Sequence, residues 1–382
     1  PAVPGPAVNQ PAVPEKKEAP APAAELQGEV TVGAVLPLTG DGAAYGLPIQ
    51  KAIQLAVDEV NAVRGAGGKK LVVAYEDGKC DGKEGATAAQ KLIGVNKVQA
   101  IIGGVCSGET LGFAPIANEN KVVVISPSAT SPDITTKGGD YVFRFAPSDA
   151  LAGKVAVGYA KGELQAKRAA VISENSDYAQ ALRRTFTSAF KLAGGVVAMD
   201  EAYNTGVTDF RTQALKIKNA KVDVVYVVPQ TPAPGIAIVK ALKDKKVTAA
   251  ILTAEVLIGR DVAKENSEVL EGVVGFEAFY NENSERAARF TQAYKDRYAE
   301  DPAFPFFMAN AYSEVYLLRD LLEKDGNDGV KMQKTLTTLI KGWAGGALTD
   351  VTLDKNGDIE WKSYSVKEIK GGAVTEKSVI TL

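Results

Sequence analysis

The sequence predicts an α/β protein built as two similar lobes, each a parallel sheet covered by helices. Three observations predict it. Apolar strand-like runs alternate with amphipathic helical stretches from Glu29 onward. The alternation restarts at residues 169–173 with a second strand-then-helix beginning. The chain has 382 residues, enough for about two domains at the usual ~100–200 residues each.

The elements follow in order. Residues 30–35 read as a strand, and the stripe Ile49, Ala52, Ile53, Ala56, Val57 and Val60 predicts the helix after it. Residues 71–75 give the next strand and 84–92 a helix; strands continue at 100–102, 121–125 and 141–145. In the second half, 169–173 precedes a helix that turns Leu182, Phe186, Ala189 and Phe190 to one face. Strands follow at 196–199, 222–228 and 249–252, then helices at 284–299 and 306–322. The end, 348–353, 361–369 and 373–380, reads as strands joined by Asn-Gly and Gly-Gly turns. Tyr45 and Tyr178 each sit at the mouth of the first helix of a half. Two lobes would thus offer their strand C-terminal ends to one cleft, the edge where open α/β sheets bind ligands.

Composition excludes several classes. Net charge is −2, with no basic face for nucleic acid or anionic membrane. The longest apolar run, 222–228, contains Asp223 and stops at Pro229, far short of a membrane span. There is no histidine, which removes Ser–His and Cys–His nucleophile pairs and every His-based metal site. No metal or cofactor is expected. Cys80 and Cys106 match no zinc spacing. Each follows a strand-like run, so neighbouring parallel strands would bring them close. They read as a disulfide, with two inert thiols as the alternative; a bridge implies export. Seven of the 18 prolines fall in the first 22 residues. Residues 1–28 therefore read as a disordered, stiff Pro/Ala-rich segment, either a tether from a membrane anchor or a leader without a task. The chain begins at Pro1 with no signal peptide and reads as a mature or trimmed form.

Four motifs invite chemistry and fail it. Gly40-x-Gly42-x-x-x-Gly46 follows a strand and opens a helix, but Pro37 interrupts the strand end and no acidic residue closes the next strand at dinucleotide spacing. These glycines instead read as keeping a cleft-lining turn tight. Gly103 to Gly108 has P-loop spacing, yet Glu109 stands where a phosphate-binding lysine is needed. Residues 104–108 mimic a nucleophile elbow around Cys106, without a base to activate it. Residues 354–358 resemble a fragment of a calcium loop but lack its remaining ligands, and read as a hairpin turn.

What remains is a pair of hydroxylated loops at strand ends, residues 105–110 and 125–130. Ser and Thr hydroxyls beside a helix N-terminus can grip a carboxylate without a buried cation. The plain alternative is that each hydroxyl is an N-cap. Glu255 follows the strand at 249–252, where a carboxylate facing a cleft suits an ammonium group. Together they suit a zwitterion, that is, an amino acid.

Residues 32–46 (Val-Gly-Ala-Val-Leu-Pro-Leu-Thr-Gly-Asp-Gly-Ala-Ala-Tyr-Gly), 102–110 (Ile-Gly-Gly-Val-Cys-Ser-Gly-Glu-Thr) and 125–132 (Ile-Ser-Pro-Ser-Ala-Thr-Ser-Pro) resemble the leucine/isoleucine/valine-binding protein family. These are periplasmic components of branched-chain amino acid ABC importers. The resemblance runs from about Glu29 to Leu382. It implies the type I periplasmic binding protein fold: two Rossmann-like lobes joined by three crossovers and closing on a hinge. Lobe 1 would be residues 29–147 plus 276–360, lobe 2 residues 148–275 plus 361–382. The bridge between Cys80 and Cys106 also matches the family. Carried over by motif, Ser107 and Thr130 would hold a carboxylate, and the Ser128 carbonyl and Glu255 an ammonium. Tyr45 and Tyr178 would flank the ligand, and Phe307, or its neighbour Phe306, would border the side-chain pocket. The resemblance implies a non-enzymatic, monomeric, extracytoplasmic solute-binding protein that delivers a neutral amino acid, branched-chain or otherwise aliphatic, to ABC permease subunits. A lipid anchor before Pro1 would fit that place. One departure stands out: Gln230 follows the strand at 222–228 where leucine binders of the family tend to carry an aromatic residue. It leaves open a small aromatic acid or amide as ligand. The other readings are a ligand sensor for a signalling partner and, more remotely, an NAD(P)-dependent dehydrogenase built on residues 40–46.

Overall fold

The computed structural model describes residues 26–382; the expected tether lies, up to residue 25, outside the described residues. A five-stranded parallel sheet holds β1 (Glu29–Leu36), β2 (Lys70–Asp77), β3 (Ala100–Gly103), β4 (Val123–Ser126) and β5 (Val142–Arg144) in the order β2-β1-β3-β4-β5. A seven-stranded sheet begins with β6 (Arg168–Glu174), β7 (Val196–Tyr203), β8 (Val224–Val228), β9 (Ala250–Thr253) and β10 (Val274–Ala278). The small hairpin of β11 (Trp343–Gly345) and β12 (Leu348–Val351) stands apart. Strands β13 (Ser363–Lys370) and β14 (Ala373–Thr381) complete the larger sheet, in the order β14-β13-β10-β9-β8-β6-β7.

Strands β3, β4 and β8 are buried at every residue, as strands covered on both faces must be. Parallel pairing holds throughout the first sheet and from β10 to β7 in the second. The departure is the antiparallel run β10-β13-β14. Gly371 and Gly372 both take positive φ between β13 and β14, and so short a turn can only return the chain antiparallel.

The helices that matter for the site start at strand ends. They are α1 (Ala43–Val63), α2 (Gly82–Gly94), α3 (Ser107–Glu119), α4 (Asp133–Lys137), α5 (Asp149–Gly162) and α6 (Asp177–Leu192). Side chains at three of their N-caps explain the start positions: Asp81 accepts from Lys83 N–H, Ser148 from Ala150 N–H, and Ser176 from Ala179 N–H. A long helix, Pro305–Asp325, packs along α1 in the first lobe. The sequence reading passed over α4, α5 and the helices Arg211–Ala220, Pro232–Asp244 and Gly329–Leu339. No described helix is long and apolar enough to cross a membrane.

In each sheet the strand order reverses once next to the first strand: between β1 and β3, and between β6 and β8. Helices leave such neighbours on opposite faces and open a crevice at the strand C-terminal ends. The loops after these four strands, with those after β4 and β9, build the site.

Candidate ligand-binding site

A cavity of about 40 Å³, counted as room for water centres, lies between the two lobes. At ~10–15 Å³ per water this holds a few waters, a tight enclosure. From the first lobe it is lined by Tyr45 and Ile49 of α1, residues 105–107 after β3, and Ser128 after β4; from the second by Tyr178 of α6, Gln230 after β8, and Glu255 and Val256 after β9. Phe304 and Phe307, at the start of the long helix, close one side. Among the described residues, no lysine or arginine lines this space.

The glycine motif at residues 40–46 proves to be architecture. A Cβ on Gly46 would meet the Pro37 carbonyl oxygen at 1.9 Å, so α1 can lie against that turn only through glycine. Tyr45, beside it, packs its ring 4.7 Å from Phe304. The P-loop-like stretch is architecture too. Glu109, in the first turn of α3, accepts N–H groups from Val105 (2.8 Å) and Cys80 (3.2 Å), binding both ends of the disulfide into one unit. Cys80 and Cys106 form that disulfide, with Cα atoms 5.1 Å apart. Burial pushes the Glu109 carboxyl up to about 8, against those N–H groups.

Residue by residue, the structure brings most of the expected set together. Ser107 opens α3 at the cavity, where helix N–H groups attract an anion; its Oγ accepts the Ser131 N–H at 3.2 Å and keeps its own proton to donate. Ser128 spends its hydroxyl on the Val105 carbonyl (2.9 Å), tying the two hydroxylated loops together. Gln230 is held by its backbone N–H, which donates to the buried Glu174 at 2.9 Å, and the residue lines the cavity. Phe307 lines the cavity, whereas Phe306 packs on Tyr280 and Trp361 instead. Thr130 does not reach the main cavity. It lines a smaller annex of about 20 Å³ that shares Glu255 and Phe307 with it.

The annex contains the residue that sequence reasoning missed. Asp149, the first residue of α5, is 1% exposed; it accepts the Thr130 hydroxyl at 2.9 Å and donates its N–H to the Thr130 carbonyl at 2.8 Å. Its only local signal is the preceding Ser148 cap, which predicts a helix start and not a neighbour in the other lobe. Burial raises the Asp149 carboxyl well above its ordinary range and the nearby Glu255 adds to it, against the Thr130 hydroxyl and the Arg144 charge. Burial likewise pushes Glu255, half-open to the cavity, up to about 7; the Tyr178 hydroxyl opposes this although it makes no hydrogen bond of full geometry. The hydroxyls of Tyr45, Tyr178 and Tyr364 are buried and have no partner among the described residues. The arrangement is therefore a small slot lined by hydroxyls, the α3 N-terminus and the Glu255 carboxyl, with no lysine or arginine in its lining. No group of His, Cys, Asp and Glu able to hold a metal occurs among the described residues.

Comparison with known proteins gives the class of molecule. Residues 29–372 match the protein family described as Periplasmic binding protein, and the chain belongs to that family. It is an extracytoplasmic solute-binding protein of the ABC-transporter type and not an enzyme. The Leu/Ile/Val-binding protein BraC3 of Rhizobium johnstonii is 29% identical over 350 residues, 91% of this chain and 93% of the relative. Among solved structures, the leucine binding protein LivK of Thermotoga maritima superposes with a TM-score of 0.83 at 28% identity, covering 92% of this chain and 99% of that one. The branched-chain amino acid substrate binding protein LivJ of Streptococcus pneumoniae, in complex with isoleucine, gives 0.82 at 28% identity over the same shares.

Proposed function

We propose that the chain captures a neutral amino acid between its two lobes and delivers it to the permease subunits of an ABC importer. The observation that carries the reading is the polarity of the slot. Ser107 and the α3 N-terminus suit a carboxylate, while Glu255, with no lysine or arginine in the cavity lining, suits an ammonium. Thr130 shares the annex with Glu255, and the Ser128 carbonyl would join Glu255 in holding the ammonium. Tyr45 and Tyr178 approach from opposite lobes and clasp the ligand as the lobes hinge shut, a shift of population toward the state both lobes contact. The relatives named for leucine, isoleucine and valine support an amino-acid ligand.

Thermal-shift screening against the twenty amino acids and benzoate, followed by calorimetric titration of the best binder, tests the reading. Glu255→Ala should cost about 2–5 kcal/mol of binding by leaving the ammonium buried and unpaired. Unchanged affinity in that variant would remove the amino-acid assignment.

A further inference from the structure

The turn at residues 354–358, which resembles a piece of a calcium loop, has another task in this fold. Asp354 accepts the N–H groups of Asn356 (2.8 Å) and Asp358 (2.9 Å), so the turn organises itself with no ion. Asp358 projects onto Arg144, whose Nε donates to it at 2.5 Å. Thr135 donates to the same Asp358 oxygen at 2.8 Å, and the Arg144 N–H donates to the Gly357 carbonyl at 3.0 Å.

Arg144 is completely buried at the end of β5. Its Nη1 donates to two carbonyls, Ala129 at 3.2 Å and Ser131 at 2.7 Å. These flank Thr130, so the guanidinium holds the loop of residues 126–131 from below. A buried guanidinium demands a counter-charge and acceptors; Asp358 supplies the charge and the two loop carbonyls hold Nη1, while Nη2 finds no partner among the described residues.

The two sides of this joint belong to two passages of the chain between the lobes. Directly after Arg144 the chain leaves the first sheet and enters the second lobe at α5. Directly after Asp358 it runs from the β11-β12 hairpin to β13 of the second sheet. We propose that Arg144, neutralised by Asp358, is a positioning residue that locks the ligand loop at residues 126–131 to the hinge, so that hinge closure and loop placement move as one. This rests on the cleft being the ligand site.

The test uses Asp358→Asn, which keeps the shape and removes the charge, and Arg144→Lys, which keeps the charge but cannot reach all three acceptors. Hydrogen exchange of the ligand-free chain should quicken at residues 126–131 and 354–358 together, by at least tenfold, with the rest of the first sheet unchanged. At 25 °C, with circular dichroism showing a folded chain, Kd should rise at least tenfold for whichever of L-leucine, L-glutamine and benzoate binds the unaltered chain most tightly. A lowered melting temperature with unaltered Kd and unaltered exchange at 126–131 in Asp358→Asn would overturn the proposal, leaving Arg144 a purely structural residue. If Arg144→Lys does not fold, Asp358→Asn decides alone. If none of the three compounds binds the unaltered chain, the amino-acid reading is in trouble, while the exchange measurement still decides the coupling.

Discussion

Acidifying the solution should switch binding off through Glu255. Burial holds that carboxyl near 7 in the empty site, and an ammonium ligand needs it ionised. The sign follows: a protonated site must lose its proton before it binds, so affinity is full above the carboxyl pKa and lost as pH falls through it. With a pKa near 7, about half of the empty sites are ionised at pH 7 and about one in a hundred at pH 5. If the bound ammonium keeps the carboxylate ionised down to pH 5, Kd should rise ~90-fold between pH 8 and pH 5, ~2.7 kcal/mol. Asp149, raised by the same burial and by Glu255 itself, steepens the acid limb. Isothermal titration of L-leucine and L-glutamine at pH 5, 6, 7 and 8 reads this directly, and Glu255→Gln should flatten the profile while weakening binding throughout. A Kd constant within about twofold across that window would refute the assignment of Glu255 as the ammonium partner.

The empty chain should show the opposite slope. Glu109 near 8 and Glu255 near 7 both lie above the ordinary carboxyl value, so the folded state keeps protons that the unfolded state has released. That contribution is complete below about pH 4.5 and is lost as pH rises through 7 and 8; calorimetric melting should be higher at pH 5 than at pH 8.5. Gln230→Leu should raise the preference for L-leucine over L-glutamine about tenfold, ~1.4 kcal/mol, in competitive titration, and an unchanged ratio would place Gln230 away from the ligand side chain. Replacing both Cys80 and Cys106 by serine should lower stability by about 3.5 kcal/mol, read from the urea midpoint, because the bridge closes a loop with a sequence separation of 26.

Much of the architecture was legible because it is periodic. The β-strand and helix alternation, the restart at residue 169 and the two helix-mouth tyrosines are local patterns, and Tyr45, Ser107, Tyr178, Gln230 and Glu255 do converge on one cavity. What was illegible depends on contacts between distant residues. Thr130 reads in sequence as a hydroxyl for a ligand carboxylate, yet its donor is spent on Asp149, 19 residues on. Residues 354–358 read as a hairpin turn, and only the approach of β5 gives Asp358 an arginine 214 positions away. Phe306 and Phe307 are indistinguishable by pattern, and the aromatic cluster of Tyr280 and Trp361 decides which one turns inward. The Gly-Gly turn and its two strands were legible, whereas the antiparallel pairing of β13 with β10 joins stretches distant in sequence.

The absence of any lysine or arginine along the cavity sets how the molecule meets its surroundings. With a net charge of −2, the chain has no cationic field to draw a carboxylate from a distance. Recognition of the carboxylate begins only when hydroxyls and N–H groups touch it. Mobile salt screens charge–charge attraction over ~10 Å and has little hold on contacts of that kind. Outside the cytoplasm, where the ionic strength is set by the environment, the grip on the carboxylate would be much the same in dilute and in saline water.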